Sequence, residues 1–331
     1  MMGERAPVLA LALTGPTASG KTGLSIEIAK RLGCEIVSLD SMQIYRGMDI
    51  GTAKVTKAEM QGIVHHMLDV CEPCECFSAE DYKAMAMECA RDISRRGKTP
   101  LFVGGTGLYL ETLSRVSSSV APKSDKRFCE ALLRAVNSNV YGRDMLYERV
   151  YGIDPETAEA AHKNNVKRLI RALEIWLATG KTKSELDKDA RDKNPEIEIL
   201  HVTLDFHDRE LLYKRVNDRV DEMMRMGLLD ETERLFRLGY LDGKTTASQA
   251  IGYKEMLPVI TEGGDLSSAI SELKLGTRRY AKRQLTWFRH NGDAERVFVD
   301  TEEGVLRQGD ELLAEIEAKY ERMKKGSKDE F

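Results

Sequence analysis

The sequence of 331 residues predicts an α/β fold, in which a parallel sheet with covering helices is interrupted by a helical insertion. Val8 to Thr14 (VLALALT) is an unbroken apolar run of strand length, as expected for a strand buried on both faces. Strand and helix patterns alternate from there to about Gly107, which is typical of a parallel sheet. From about Ala121 to Asn194, helical patterns and charge occur without a convincing strand.

Local signals place the elements before the insertion. Thr22 to Leu32 is amphipathic, and Gly33 is placed to end that helix. Ser78 and Asp81 form a capping-box pattern for a helix that reaches about Arg96. The predicted strands of this part are 35–39, a short segment at 65–70, and 100–103.

The core resumes after the insertion. Ile197 to Phe206 predicts a strand, helices dominate from Asp208 to His290, and Arg296 to Val299 predicts a late edge strand. The tail from about Lys319 is charged, and we expect it to be frayed. The predicted domains are a core at 7–120 and 197–315 with C-terminal helices, a helical insertion at 121–196, and a charged tail at 316–331.

Composition favours an ordinary soluble protein, and we expect it to be cytoplasmic. Hydrophobic residues make up 42% of the chain, and no apolar run reaches the roughly 18 residues of a membrane span. Met1 to Leu13 lacks a small-residue cleavage site, so we interpret it as leading into a strand and not as a signal peptide. The net charge of −4 counts against nucleic-acid binding by bulk charge, although a local basic surface would suffice.

A phosphate-binding loop follows the first strand. Gly15 to Thr22 (GPTASGKT) matches G-x-x-x-x-G-K-[ST] between a buried strand and a helix, which predicts a core similar to the phosphate-loop NTPases. Backbone N–H groups and the helix N-terminus would bind the anion, Lys21 would neutralise its charge, and the Thr22 hydroxyl can ligate Mg²⁺. The loop leaves open whether the ligand is ATP or an allylic diphosphate. The predicted diphosphate-binding residues are Gly15, Pro16, Thr17, Ala18, Ser19, Gly20, Lys21 and Thr22.

An acidic residue ends the second predicted strand. Asp40 lies beside the phosphate loop, at the edge where open α/β sheets place their ligands. Its position alone allows three roles: a solvated turn residue, a ligand of Mg²⁺-bound water, or a catalytic group.

The residues that follow carry a family resemblance. Asp40 to Lys54 (DSMQIYRGMDIGTAK), together with the phosphate loop, closely resembles the bacterial tRNA dimethylallyltransferases, also called tRNA isopentenyltransferases. The resemblance covers most of the chain, up to about Arg289, and departs from the family at the cysteines of the segment CEPCEC, 71–76. Four further motifs match in the same order: GGTGLY at 104–109, KRLIRALE at 167–174, QAIGYKE at 249–255 and KRQLTWFR at 282–289.

The resemblance implies an activity, its partners and its site residues. The family transfers dimethylallyl from dimethylallyl diphosphate to the exocyclic N6 of the adenosine immediately 3′ of the anticodon. By resemblance, Asp40 is the general base, Lys21 and Thr22 bind diphosphate and not ATP, and the acceptor is a tRNA anticodon stem-loop. We expect a monomer that uses Mg²⁺ and binds no membrane. The implied tRNA contacts are Asp40, Ser41, Met42, Gln43, Thr106, Lys167, Arg168, Leu169, Ile170, Arg171, Gln249, Gly252, Tyr253, Lys254, Lys282, Arg283, Gln284, Trp287 and Arg289.

Two basic helices could support this chemistry. Arg215 and Arg219 share a helix face, and the resemblance places that helix beside the diphosphate, where we assign them a catalytic role. The alternative is a solvated face paired with Asp218 and Glu222. The second helix, Thr277 to Arg289, combines basic and aromatic residues, which suits an RNA loop. Its alternative is an amphipathic helix with Leu285, Trp287 and Phe288 in the core.

Three other functions compete with this interpretation. A phosphate-loop kinase of small metabolites would use the same loop for ATP, with the insertion as its lid, and ATP turnover would identify it. An adenylate isopentenyltransferase would act on free adenine nucleotides, but the long insertion and the basic helix favour a macromolecular acceptor. A non-catalytic RNA-binding protein would have no use for the intact phosphate loop.

Overall fold

The computed structural model describes residues 6–116, 124–189, 192–243, 245–290 and 294–329. The chain forms two compact units, a core unit of Met1–Ser114 with Pro195–Phe331 and an insertion unit of Arg115–Asn194. The insertion unit begins before the predicted residue 121, because an antiparallel bridge between Arg115 and Lys193 joins its two ends. No helix among the described residues is long and apolar enough to cross a membrane.

The core unit contains a six-stranded sheet in which all neighbouring strands are parallel. The strands are β1 Val8–Thr14, β2 Cys34–Leu39, β3 His65–His66, β4 Thr99–Gly104, β5 Ile197–Asp205 and β6 Glu295–Phe298. Their spatial order is β3-β2-β4-β1-β5-β6, so β1, the predicted buried strand, lies inside the sheet. The predicted α/β class with a parallel sheet is therefore confirmed.

The first two helices pack on this sheet, and local signals predict the end of the first and the start of the second. Gly33 ends the first helix in the left-handed conformation, with φ 65°. Ser78 and Asp81 form the complete capping box at the start of the second. The core-unit helices are α1 Lys21–Leu32, α2 Ala79–Arg95, α3 Gly107–Ser114, α9 Arg209–Arg225, α10 Leu228–Arg237, α11 Tyr253–Glu262, α12 Leu266–His290 and α13 Gly309–Asp329.

The insertion unit is helical. Its apolar side chains form a cluster of their own, in which Ala158 and Leu169 are fully buried. Asp154 and Asn165 cap two of its helices through their side chains. The helices are α4 Lys126–Asn137, α5 Gly142–Tyr151, α6 Pro155–Ala161, α7 Val166–Thr179 and α8 Lys183–Asp189.

The frayed tail is a wrong prediction, because α13 continues to Asp329. Ile316 and Tyr320 are fully buried in the main core cluster, together with Leu312 and Leu313. The Tyr320 hydroxyl is also hydrogen-bonded to Oγ1 of Thr99, at 3.1 Å. An apolar helix face within the charged segment thus packs against the core unit.

Candidate active site

The site lies at the carboxyl ends of three neighbouring strands, β2, β4 and β1. Each strand leads into one of the sequence motifs. We name these the base turn (Asp40–Gln43), the glycine loop (Gly104–Gly107) and the phosphate loop (Gly15–Thr22). With α9 and α12, they line one cavity of about 1110 Å³ within the core unit.

The phosphate loop has the backbone conformation that anion binding requires. Gly15 and Gly20 have φ values of 145° and 93°, and a Cβ on Gly15 would lie 2.9 Å from the carbonyl oxygen of Leu204. Among the described residues, no side chain caps the start of α1 at Gly20. The first N–H groups of α1 and the positive end of its dipole are therefore left to an anion.

Lys21 is folded onto the phosphate loop. Its Nζ donates to the carbonyl oxygens of Gly15 and Pro16, at 2.9 and 2.6 Å. Burial, and then the positive charge of Arg219, lower the pKa of Lys21 to about 7, while Asp40 acts in the opposite direction. Lys21 can thus exchange a proton near neutral pH, and a bound anion would favour its charged form.

Two arginines of α9 complete the cationic part of the cavity. Nε of Arg215 donates to the carbonyl oxygen of Ala18 at 2.8 Å and thereby supports the phosphate loop. Arg219, one turn later, lines the same cavity, and burial lowers its pKa. Asp218 and Glu222 line the cavity too, so this face of α9 is not simply a solvated surface.

Asp40 shares the cavity with these cations. Its Oδ1 accepts the N–H groups of Met42 and Gln43, at 2.8 and 3.3 Å, which fixes the carboxylate on the base turn. Its negative charge raises the pKa of both Lys21 and Arg219 against the effect of burial. A carboxylate and an anion-binding loop in one cavity is an arrangement suited to acid–base chemistry on a phosphate-bearing substrate.

The cavity also has an apolar part, formed by methionine and aliphatic side chains. Such a lining suits an apolar group on the ligand, and methionines adapt to its shape. These residues are Met42, Ile50, Met223, Met226, Ile251 and Leu273.

Many of the predicted tRNA contacts reach this cavity or its surroundings. Thr106 lies behind the base turn, where its Oγ1 accepts the N–H of Ser41 at 3.1 Å. Lys282 is exposed on α12. The predicted contacts that line the cavity are Asp40, Ser41, Met42, Gln43, Gln249, Lys254, Arg283 and Gln284.

Other predicted contacts of the core unit are held by contacts within the protein. Tyr253 is fully buried, and Gly252 is buried against Gly51, so the expectation that they contact tRNA is corrected. Trp287 packs on Gly107, where a Cβ would lie 2.3 Å from its ring. The Arg289 guanidinium forms a bidentate ion pair with the buried carboxylate of Asp205, and the shortest N–O distance is 2.7 Å.

The predicted contacts of the insertion unit divide in the same way. Lys167 and Arg168 are exposed on α7. Leu169 and Ile170 are buried in the core of the unit. The prediction that their side chains contact RNA directly is therefore wrong. Arg171 pairs with the buried Glu174, at 2.5 Å.

Sequence reasoning missed the residues that hold the loop 49–56, which lines the cavity. The buried Glu231 carboxylate accepts the N–H groups of Asp49, Ile50 and Gly51 at 3.0–3.1 Å, and the Tyr253 hydroxyl at 2.7 Å. The motif GTAK drew attention to this loop, but nothing in the sequence around Glu231 signals a partner 180 residues away.

The site fits a Mg²⁺ ion that is shared with a substrate. Thr22 is exposed at the start of α1 and lines the cavity. The described residues contain no group of three or more His, Cys, Asp or Glu side chains that could hold a metal by themselves. Mg²⁺ commonly keeps several waters and binds through one or two protein oxygens and substrate phosphates, which this arrangement allows.

Fold and site together define a phosphate-loop enzyme with a carboxylate facing its anion-binding cavity. The chain belongs to the IPP transferase family, whose sequence model matches residues 43–291. The family resemblance found in the motifs is therefore confirmed.

Relatives at high identity support the same assignment. The chain is similar to the tRNA dimethylallyltransferases of Thermoanaerobacter sp. (strain X514), at 44% identity over 87% of this chain and 91% of the relative, and of Bacillus subtilis (strain 168), at 45% over 84% and 87%. It also resembles the crystal structure of the full-length tRNA isopentenylpyrophosphate transferase from Bacillus halodurans, with a TM-score of 0.67 and 39% identity over 97% of this chain and 99% of that one. A eukaryotic dimethylallyltransferase acting on tRNA matches with a TM-score of 0.72 and 32% identity, over 88% of this chain and 73% of that one.

Proposed function

We propose that this protein is a tRNA dimethylallyltransferase. It transfers the dimethylallyl group of dimethylallyl diphosphate to N6 of the adenosine immediately 3′ of the anticodon and releases diphosphate. One observation carries the proposal: the phosphate loop, an apolar lining and the Asp40 carboxylate share one cavity. An allylic diphosphate has an anionic head and an apolar tail, and its acceptor amine needs a base.

The cationic part of the cavity stabilises the leaving group. Negative charge grows on the diphosphate as the bond between C1 of the allyl group and oxygen breaks. Lys21, Arg215, Arg219 and the amides of the phosphate loop are the donors for this charge, and removing one such donor costs about 3–4 kcal/mol. The Thr22 hydroxyl would hold Mg²⁺, and the ion would supply additional positive charge for the leaving group.

Asp40 activates the acceptor. The lone pair of an exocyclic adenine amine is delocalised into the ring, so the amine is a poor nucleophile. As N6 bonds to C1, Asp40 accepts one N6 proton, a contribution of about 10²–10⁴ in rate. The adenine must leave the stack of the anticodon loop to reach the cavity. The free energy of this step is small because the base is unpaired.

The acceptor class is supported by the relatives and by the surface of α12. The two relatives compared above are tRNA dimethylallyltransferases. Arg279, Lys282 and Arg283 are exposed on α12, and Arg283 lines the cavity, so a basic surface adjoins the proposed chemistry. A monomeric enzyme in the cytoplasm, where tRNA is found, is part of the same proposal.

Nucleoside analysis tests the proposal. The protein is incubated with Mg²⁺, dimethylallyl diphosphate and an anticodon stem-loop that carries adenosine 3′ of the anticodon. We expect N6-dimethylallyladenosine in this RNA and none in a matched RNA with guanosine at that position. Modification of AMP instead of the stem-loop, or phosphoryl transfer from ATP, would contradict the proposal.

A further inference from the structure

One buried side chain of α12 connects the phosphate loop to the glycine loop. Oε1 of Gln284 accepts the N–H of Thr17 at 2.9 Å, and its Nε2 donates to the carbonyl oxygen of Gly105 at 2.9 Å. A primary amide both accepts and donates at the same end, so it can bridge an N–H and a carbonyl. A Cβ on Gly105 would lie 2.1 Å from Gln284 Nε2, so the glycine loop leaves room for this side chain.

The hydrogen-bonded path continues from the glycine loop to the base turn. Thr106 donates its N–H to the carbonyl oxygen of Leu39 at 3.1 Å and accepts the N–H of Ser41 on its hydroxyl, also at 3.1 Å. Gly104 is pressed against β2, since a Cβ there would lie 2.1 Å from the Leu39 carbonyl oxygen. The loop that holds the anion and the turn that carries Asp40 are therefore linked through Gln284.

The helix that supplies Gln284 is itself fixed on the glycine loop. Trp287, three residues later, packs on Gly107, and Leu285 and Phe288 are buried in the core unit. Gln284, at 6% exposure, is buried, and its side-chain amide is held by protein groups on both sides. This differs from the tRNA contact that the family resemblance implies for Gln284.

We propose that Gln284 is a positioning residue for the transfer reaction. It fixes the phosphate loop relative to the base turn, and so the allylic carbon relative to the Asp40 carboxylate. The inference rests on the proposed function. Because the rate of an oriented reaction depends steeply on geometry, a displacement of about 1 Å can cost about 10²-fold in rate without loss of binding.

Two substitutions separate the two hydrogen bonds. Gln284→Met keeps the approximate volume and removes both bonds. Gln284→Glu keeps an acceptor for the N–H of Thr17, but its carboxylate faces the Gly105 carbonyl until it is protonated. Burial raises the pKa of a carboxyl group, so protonation of this side chain is expected within the working pH range. Tyr320→Phe is the matched control, because it removes a partly buried hydrogen bond to Thr99, which does not line the cavity.

The decisive measurement is single-turnover transfer to the stem-loop, with separate affinities for inorganic diphosphate with Mg²⁺ and for the stem-loop. We expect Gln284→Met to slow transfer by about 10- to 100-fold, with both affinities close to those of the wild type. The rate deficit of Gln284→Glu relative to the wild type should shrink as the pH is lowered from about 8 to 6, while that of Gln284→Met stays constant. Tyr320→Phe should transfer at the wild-type rate.

Several results would overturn the inference. Wild-type rates in both Gln284 variants would remove the positioning role. A loss of stem-loop affinity as large as the loss of rate would make Gln284 an RNA contact. If Gln284→Met does not fold, Gln284→Glu alone decides the question. A rate deficit of Gln284→Glu that does not change with pH would then overturn the positioning role. Absence of transfer by the wild type would instead refute the proposed function.

Discussion

At the scale of single residues, Lys21 is the group whose ionisation the site controls most directly. Burial and Arg219 lower its pKa to about 7 in the protein without ligand. A bound diphosphate would raise that pKa again, because the anion favours the charged form. The proposed diphosphate binding should therefore be linked to proton uptake at this residue.

This linkage predicts a pH-dependent affinity for inorganic diphosphate. Below about pH 7, Lys21 is already charged and binding takes up no proton there. Above it, the free lysine is neutral and binding must bring a proton, so affinity falls with rising pH, by at most about tenfold per pH unit. Calorimetry in buffers of different ionisation enthalpy measures this uptake. Lys21→Ala should bind weakly and take up about one proton fewer than the wild type above about pH 7, whereas equal proton uptake by the two proteins would contradict the linkage.

Arg219 and Arg215 should differ in their effect on that pH dependence. Arg219 lowers the pKa of Lys21, so Arg219→Gln should move the midpoint of diphosphate binding to higher pH and weaken binding at low pH. Arg215 hydrogen-bonds the loop at Ala18, so Arg215→Gln should weaken binding with little change in midpoint. Diphosphate titrations across the pH range compare the two, and identical midpoint shifts in both variants would refute the distinction.

At the scale of elements, α12 has basic residues with two different roles. Arg279 and Arg283 are exposed, so replacing both with Ala should weaken tRNA binding and lower its salt slope by about one unit for each RNA phosphate that is no longer neutralised. Arg289 pairs with the buried Asp205, so Arg289→Ala should cost about 3 kcal/mol of unfolding free energy and leave the salt slope unchanged. Salt-dependent tRNA binding and urea unfolding measure both quantities. A lower salt slope for Arg289→Ala, with lower stability for the Arg279 and Arg283 variant, would contradict both assignments.

The loop 49–56 depends on α10 and α11 through one buried carboxylate. Glu231→Gln places an N–H₂ group against backbone N–H donors, and should cost about 1–3 kcal/mol of unfolding free energy. Tyr253→Phe removes only one hydrogen bond to this carboxylate and should cost about 1 kcal/mol. Urea unfolding gives both values, and a larger loss for Tyr253→Phe would show that the carboxylate is not the main anchor.

At the scale of the whole molecule, local signals predicted the sheet and the phosphate loop. Val8–Thr14, the phosphate loop and Asp40 each follow from a short stretch of residues, and the parallel sheet brings their ends together. Gln284 on Gly105 and Arg289 on Asp205 join residues distant in sequence, and no local pattern encodes them. The motif match therefore pointed to Gln284 and Arg289. It could not distinguish a residue that contacts RNA from one that supports the structure of the site.

The wrong prediction of a frayed C-terminal tail also arose because contacts between distant parts of the chain leave no local pattern. Charge around Lys319 suggested fraying, yet Ile316 and Tyr320 are spaced to share one helix face and are fully buried. Apolar residues four apart indicate a packed helix even in a charged segment, provided that a surface exists to receive them. That surface was not visible in the sequence, because it is formed by other parts of the core unit.

The central claim is that Asp40 is the base for transfer to adenosine. Asp40→Asn keeps an oxygen that can accept the N–H groups of Met42 and Gln43, so the base turn should persist. Single-turnover transfer to the stem-loop, measured together with diphosphate affinity at low and high Mg²⁺, tests the claim most directly. We predict a rate lower by about 10²–10⁴, unchanged affinity and no rescue by Mg²⁺. Weakened diphosphate binding with recovery of the rate at high Mg²⁺ would contradict it and make Asp40 a metal-site residue.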